Sequence, residues 1–211
     1  MSKYKCIIFD CDGVLVDSET IGGGVLVDMA NSLGANLKFE NTNKLFKGKS
    51  LEDCMGIISK EVSKPLPSSF ELEYREKSFK AFKEGIQPIN GIAEVLKKLK
   101  VPFCVASSGP ESKIRLNLEL TGLLPFFDSN IFSCYTIQKW KPEPDVFLWA
   151  SETMGFKPNE CLVIEDSISG VRAANAGGFD VFGYAEHDYN NELRFEATKT
   201  FNHMEELLGF L

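Results

Sequence analysis

Two aspartates, Asp10 and Asp12, close the apolar run CIIF (6–9) and are followed at once by Gly13, within the stretch IFDCDGVLVDSE. Like charges that close repel one another, and each loses hydration on burial. The pair therefore calls for a cation, a reaction or both. Three more polar clusters follow apolar runs: SSGP (107–110) after PFCVA, WKPEPD (140–145) after the weaker run NIFS, and IEDSISG (164–170) after CLVI. Glu165 and Asp166 bring the carboxylates to four. Hard oxygen ligands without histidine or cysteine favour magnesium. Ser107 and Ser108, ahead of a helix start, offer hydroxyl and backbone donors to phosphate oxygens. Lys141 supplies a positive charge able to steady both a nucleophile and a phosphoryl group. A carboxylate nucleophile, magnesium, a lysine and hydroxyl donors together describe phosphoryl transfer through an aspartyl-phosphate.

Each element alone has an ordinary explanation: a turn, a loop, a surface lysine, helix-capping acids. Their joint occurrence at strand ends carries the argument, so the elements that position them matter. Four runs, at 6–9, 102–106, 161–164 and 180–184, are apolar without alternation, as in a parallel sheet covered on both faces; 130–133 is a weaker fifth. Ile92, Val95, Leu96 and Leu99 follow helical spacing, Pro144 and Gly155 punctuate another helix, and Ser167 caps one that stops at Gly177. Ile114, Leu116, Leu118 and Leu120 alternate like a strand. A parallel sheet nonetheless needs a crossover between the runs near 104 and 132, so 111–120 is expected to be helical. The fold class is α/β: a doubly wound, Rossmann-like parallel sheet, whose ligands bind beyond the carboxyl ends of its strands.

Residues from about 18 to 86 break the alternation. Val25, Leu26, Met29, Ala30 and Leu33 make one helical face, Leu51, Cys54, Met55, Ile58 and Val62 another, and a third helix is expected through 69–83. The expected organisation is a core domain of residues 1–16 and 87–211 with a helical domain, 17–86, inserted after the first strand. The glycine triplet at 22–24 reads either as a frayed helix start or as room for a longer substrate or a flexible cap, since each glycine costs a helix about 1 kcal/mol relative to alanine.

The net charge of −7 over 211 residues, with acids and bases mixed, argues against nucleic acid or an anionic membrane surface as partner. No apolar run approaches the roughly 20 residues that span a bilayer. The opening run MSKYKCIIFD is too short and too soon interrupted by acids for a signal peptide, so a cytoplasmic protein is expected. Six cysteines without a CxxC pair, and two histidines, argue against a zinc site. The cysteines read as small buried hydrophobes in a reducing compartment.

DCDGVLVDSE, VASSGP, KPEPDVF and IEDSISGVRAANAG, in this order, resemble the motifs of the haloacid dehalogenase superfamily. The insert between the first two resembles that of the branch with a helical cap, which holds small-molecule phosphatases and β-phosphoglucomutase. The resemblance implies that Asp10 is the nucleophile and Asp12 the acid that protonates the leaving oxygen and then activates water. It implies Mg2+ held by Asp10, the Asp12 carbonyl and Asp166, with Glu165 in support. Ser107 would bind the transferring phosphate, with Ser108 and Gly109 beside it. Lys141 would bridge phosphate and nucleophile, and Gly13 would allow a sharp turn below the site.

The stretch FKGKSLED (46–53) resembles the cap's specificity loop, so Lys47 and Lys49, with Arg75 from the third cap helix, are candidates to meet an anionic substrate group. The mutase carries a histidine and an arginine where this chain has Gly22 and Leu51. Both departures favour phosphate hydrolysis over transfer between sugar hydroxyls. VPFCVASSGP and IFSCYTIQKWKPEPD are closer to bacterial sugar-phosphate phosphatases, 6-phosphogluconate phosphatase among them. The expected partner is a small phosphorylated metabolite, and the expected state a monomer, as in many capped relatives. The rival reading is a non-catalytic phospho-acceptor or binding module. Receiver domains share the acids and the lysine, but they carry neither cap nor second aspartate.

Overall fold

The computed structural model describes residues 3–47, 49–188 and 191–211. The chain divides into two compact units, Met1–Val16 with Gln87–Leu211, and Asp17–Ile86.

The first unit is built on a six-stranded sheet of order β3-β2-β1-β4-β5-β6 among the described residues. The strands are β1 (Cys6–Phe9), β2 (Phe103–Ser107), β3 (Ile131–Ser133), β4 (Cys161–Glu165), β5 (Asp180–Tyr184) and β6 (Lys199–Phe201), and every pairing is parallel. The expected α/β fold is therefore the observed one. The chain winds outward from β1 to β3, then returns to lay β4 on the other side of β1. That reversal is the switch point where a doubly wound sheet opens its crevice. β1 and β4 are buried throughout, which explains their unbroken apolar runs. On one face Cys6, Ile8, Cys104, Ala106, Val163 and Val181 pack with side chains from the helices that return over the sheet. Near β2, Phe103 stands edge-on to Phe9 and to Phe127, at 6.1 and 5.5 Å between ring centroids.

The second unit holds α1 (Glu19–Ser32), α2 (Thr42–Phe46), α3 (Leu51–Glu61) and α4 (Phe70–Gly85). Leu26, Met29, Ala30, Phe46, Ile58 and Phe70 form part of its own core. Ser50 caps α3 by accepting the Asp53 amide at 3.0 Å. The frayed-start and open-space readings of the glycine triplet need correction. α1 begins at Glu19 and carries all three glycines buried in its interior. A Cβ at Gly22 would stand 2.9 Å from Tyr74 Oη, one at Gly23 1.9 Å from Thr42 Cγ2, and one at Gly24 2.6 Å from Phe39 Cε2. The glycines let neighbouring segments of the same unit lie against α1, so the space they open is filled by protein.

Helices of the first unit are α5 (Ile92–Lys98), α6 (Glu111–Leu120), α7 (Leu124–Phe127), α8 (Cys134–Ile137), α9 (Asp145–Thr153), α10 (Ile168–Ala176) and α11 (Leu207–Phe210). The segment that alternates like a strand is α6, as the crossover argument required. Ile114 and Leu118, four residues apart, are fully buried, whereas Leu120 is exposed. β6 was not expected: it is three residues long, without an apolar run, and pairs only along the edge with β5.

Candidate active site

The loops after β1, β2 and β4, with Lys141 between α8 and α9, meet at the carboxyl edge of the sheet around the switch point. Asp10 follows β1 directly, and its amide donates to Ile164 O at 2.9 Å, tying that loop to β4. The chain then turns sharply. Gly13 N–H donates to Val16 O at 2.9 Å, and Val16 N–H donates to Cys11 O at 3.1 Å. Gly13 has φ +79°, and a Cβ there would stand 2.1 Å from Asp166 Oδ2. Both the turn and the close approach require glycine at this position.

Lys141 is the hub. Its ammonium donates to Asp10 Oδ1 at 2.5 Å, to Glu165 Oε1 at 2.6 Å and to Ala106 O at 3.3 Å, and its side chain is only 4% exposed. It also lies 4.7 Å from the centre of the Phe147 ring. Glu165 is held on its other side. Its Oε2 accepts the amides of Asp166 and Ser167 and the Ser167 hydroxyl, at 3.0, 2.9 and 2.9 Å. Ser167 in turn accepts Gly170 N–H at 3.1 Å and caps α10, as its place in the sequence implied. A side chain at Gly170 would collide with Glu165, the Cβ falling 1.8 Å from Oε1. Glu165 is thus fixed as an orienting partner of Lys141.

Ligand atoms of Asp10, Glu165 and Asp166, all buried, lie within 4.8 Å of one another. Burial pushes the Asp10 carboxyl well above the ordinary carboxylate range, Lys141 opposes this, and Glu165, Asp12 and Asp166 add to it. For Lys141, burial acts downward, but Asp10 and Glu165 outweigh it and the ammonium is held above its usual value. Three buried carboxylates against one ammonium leave an excess of negative charge. An all-oxygen, acidic, desolvated cluster of this kind fits a hard divalent cation.

Ser107, 1% exposed, ends β2, and its hydroxyl accepts Gly109 N–H at 3.1 Å. Ser133 at the end of β3 donates to Gly109 O at 2.7 Å, fixing the loop from the far side. Ser108 and Gly109 are half-buried at the start of α6. The structure therefore brings together Asp10, Lys141, Glu165 and Asp166, and gathers Asp12, Ser107 and Gly109 around a second point. A Cβ at Gly109 would stand 3.5 Å from Ser107 Oγ and 3.7 Å from Asp12 Oδ2.

Lys113 on α6 was missed. Its ammonium donates to both Asp12 oxygens at 2.8 Å, across 101 residues of sequence. The only sequence signal was a cation in the first turn of a helix, where acids are favoured. Lys47, Lys49 and Arg75 belong to the helical unit. Lys47 stands 4.0 Å from Glu19, Lys49 is exposed, and Arg75 donates to Glu71 one turn back at 2.6 and 3.0 Å. Gly48 of the expected specificity loop lies outside the described residues.

A parallel sheet whose switch point gathers buried carboxylates around one lysine marks an α/β protein with an acidic site at its carboxyl edge. The family model "haloacid dehalogenase-like hydrolase" matches residues 4–178, and the chain belongs to that family. The family expected from the four motifs is the one found. A curated relative, 6-phosphogluconate phosphatase of Escherichia coli strain K12, is 32% identical over 208 residues, covering 98% of this chain and 94% of the relative. Among solved structures, a haloacid dehalogenase-like protein of unknown function from Agrobacterium tumefaciens superposes with TM-score 0.89 at 28% identity, covering 98% and 96% of the two chains. A family hydrolase from Deinococcus radiodurans, solved with bound phosphate and sodium, gives 0.79 at 25% identity over 98% and 94%. No described helix is long and apolar enough to cross a membrane.

Proposed function

We propose that this hydrolase is a magnesium-dependent phosphatase of a small phosphorylated metabolite, a sugar or sugar-acid phosphate with 6-phosphogluconate as the leading candidate. The observation that carries the reading is Lys141 bound to both Asp10 and Glu165 beside Asp166, with Asp12 two residues beyond Asp10. The similarity to 6-phosphogluconate phosphatase of Escherichia coli supports the choice of metabolite.

Asp10 attacks phosphorus with a carboxylate oxygen, and the bond from phosphorus to the ester oxygen breaks. Asp12 gives its proton to that oxygen, which leaves as an alcohol. Asp12 then takes a proton from water as the water oxygen attacks the aspartyl-phosphate, and the Asp10–phosphorus link breaks. Free phosphate, the Asp10 carboxylate and a protonated Asp12 result, as at the start. Lys141 holds Asp10 in its ionised, attacking orientation and faces the charge that develops on the phosphoryl oxygens. Ser107 and the amide of Ser108 receive the same oxygens, with Gly109, whose amide is bound to Ser107, beside them. Asp10, Asp166 and the Asp12 carbonyl, with Glu165 in support, would hold Mg2+, which would supply positive charge against the carboxylates and the phosphate.

The helical unit is read as a cap whose Lys47, Lys49 and Arg75 select a substrate with a second anionic group. Lys47→Ala would then raise KM severalfold with little change in kcat. We also place the protein in the cytoplasm as a monomer, which light scattering in solution tests; its buried free thiols are consistent with that compartment. The deciding experiment is phosphate release from a panel of phosphorylated metabolites, with Mg2+ and after chelation. The reading expects 6-phosphogluconate to be turned over orders of magnitude faster than an aryl phosphate, and chelation to abolish the activity. Equal rates would remove that substrate, and no turnover of any ester would remove the phosphatase reading.

A further inference from the structure

Resting on that reading, we propose that Lys113 is a positioning residue for the reaction, holding the Asp12 carboxyl group in the orientation from which it serves first as acid and then as base. The ammonium of Lys113 is shared evenly between the two Asp12 oxygens, at 2.8 Å each. A two-point contact of this kind limits rotation of the carboxylate, whereas a one-oxygen contact would leave it a hinge. The pair is sheltered: both side chains are 22% exposed, unlike the freely solvated surface ion pairs whose long side chains wander.

The loop around the pair is also fixed. Gly109 is bound through its amide to Ser107 and through its carbonyl to Ser133. Lys113 Cδ, Asp12 Oδ2 and Ser107 Oγ all stand within 3.7 Å of the point a Gly109 Cβ would occupy. The ammonium that holds Asp12 thus springs from beside the serine that faces phosphate. Helix stability does not account for a lysine at this place. Lys113 is the third residue of α6, where the helix macrodipole disfavours a cation. Arg115, two residues on, pairs instead with Glu111 on its own helix, at 2.7 Å.

A group acting only by orientation makes specific demands. Lys113→Met should lower kcat on an alkyl phosphate about 10- to 100-fold, the loss typical of a displaced acid or base, while KM moves less than threefold. Lys113→Arg should restore part of the rate. In an Asp12→Ala background, Lys113→Met should cost nothing more, because its only route to the reaction is gone. Thermal melts of each variant check that the fold is kept. The proposal is overturned if Lys113→Met in the otherwise active enzyme matches wild type. It is equally overturned if KM rises with kcat unchanged, or if the loss persists undiminished in the Asp12→Ala background, since Lys113 would then act on substrate directly. A wild-type enzyme that releases phosphate from no ester removes the phosphatase reading, and this proposal with it.

Discussion

The polar groups of the sheet unit and of the helical unit are held in opposite ways. At the switch point, Lys141 is 4% exposed and fixed by three acceptors, and Glu165 is 1% exposed and receives four donors. In the helical unit, Arg75 pairs with Glu71 one turn back on its own helix, and Lys49 stands exposed. The first arrangement is rigid because burial penalises every lapse in pairing; the second leaves water as the alternative partner. On the proposed reading, the groups that need fixed geometry for chemistry sit on the strand ends, and the adjustable cations Lys49 and Arg75 sit on the helical unit.

The largest expected effect tests the rigid half. If Asp10 is the nucleophile, as proposed, Asp10→Asn should lower phosphate release on the order of 10⁴-fold or more, because no other group can take its place. A variant retaining a tenth of the wild-type rate would place the chemistry elsewhere. Next comes stability. Lys141→Met leaves Asp10 and Glu165 buried without their cation and should cost about 3–5 kcal/mol in urea unfolding. Adding Glu165→Gln to Lys141→Met should recover part of that loss, and a Lys141→Met cost near zero would mean the cluster is solvated.

Within the helical unit, two glycines of α1 and α3 sharpen the contrast between packed and open positions. Gly23→Ala must push Thr42 aside and should destabilise by about 1–3 kcal/mol. Gly56 lies in α3 with nothing within 4 Å of a Cβ, so Gly56→Ala should stabilise by about 0.5–1 kcal/mol. Equal effects at the two sites would contradict the packing of α1.

The smallest effect is expected at Asp180, where Lys3 donates at 2.5 Å and Tyr4 at 2.8 Å. The Lys3 contact holds the carboxyl below its usual value, against the opposing effect of burial, with Tyr4 acting in the same sense as Lys3. A depressed folded value stabilises above the unfolded value of about 3.9 and is lost as pH falls through the folded one. Asp180→Asn should therefore differ from wild type by under ~1 kcal/mol at neutral pH and converge with it in acid, as unfolding midpoints against pH would record.

Much of the sheet unit was legible because covered parallel strands write themselves as short apolar runs and the acids follow them directly. α6 was legible only through topology, since its alternation suggested a strand and the crossover demanded a helix. β6 was illegible because an edge strand of three residues needs no apolar pattern.

The sequence by itself determined the chemical inventory: Asp10, Asp12, Glu165 and Asp166 at the ends of apolar runs, Lys141 in the stretch after a weaker one, and the family that their order marks. Tertiary structure decided what sequence distance hides. It paired Lys113 with Asp12 across 101 residues, turned Glu165 toward Lys141, and packed the glycines of α1 against Tyr74, Thr42 and Phe39. Composition and periodicity record which groups must be buried or cationic. Which partner each one meets is fixed only when the strands take their order and the loops at one edge converge.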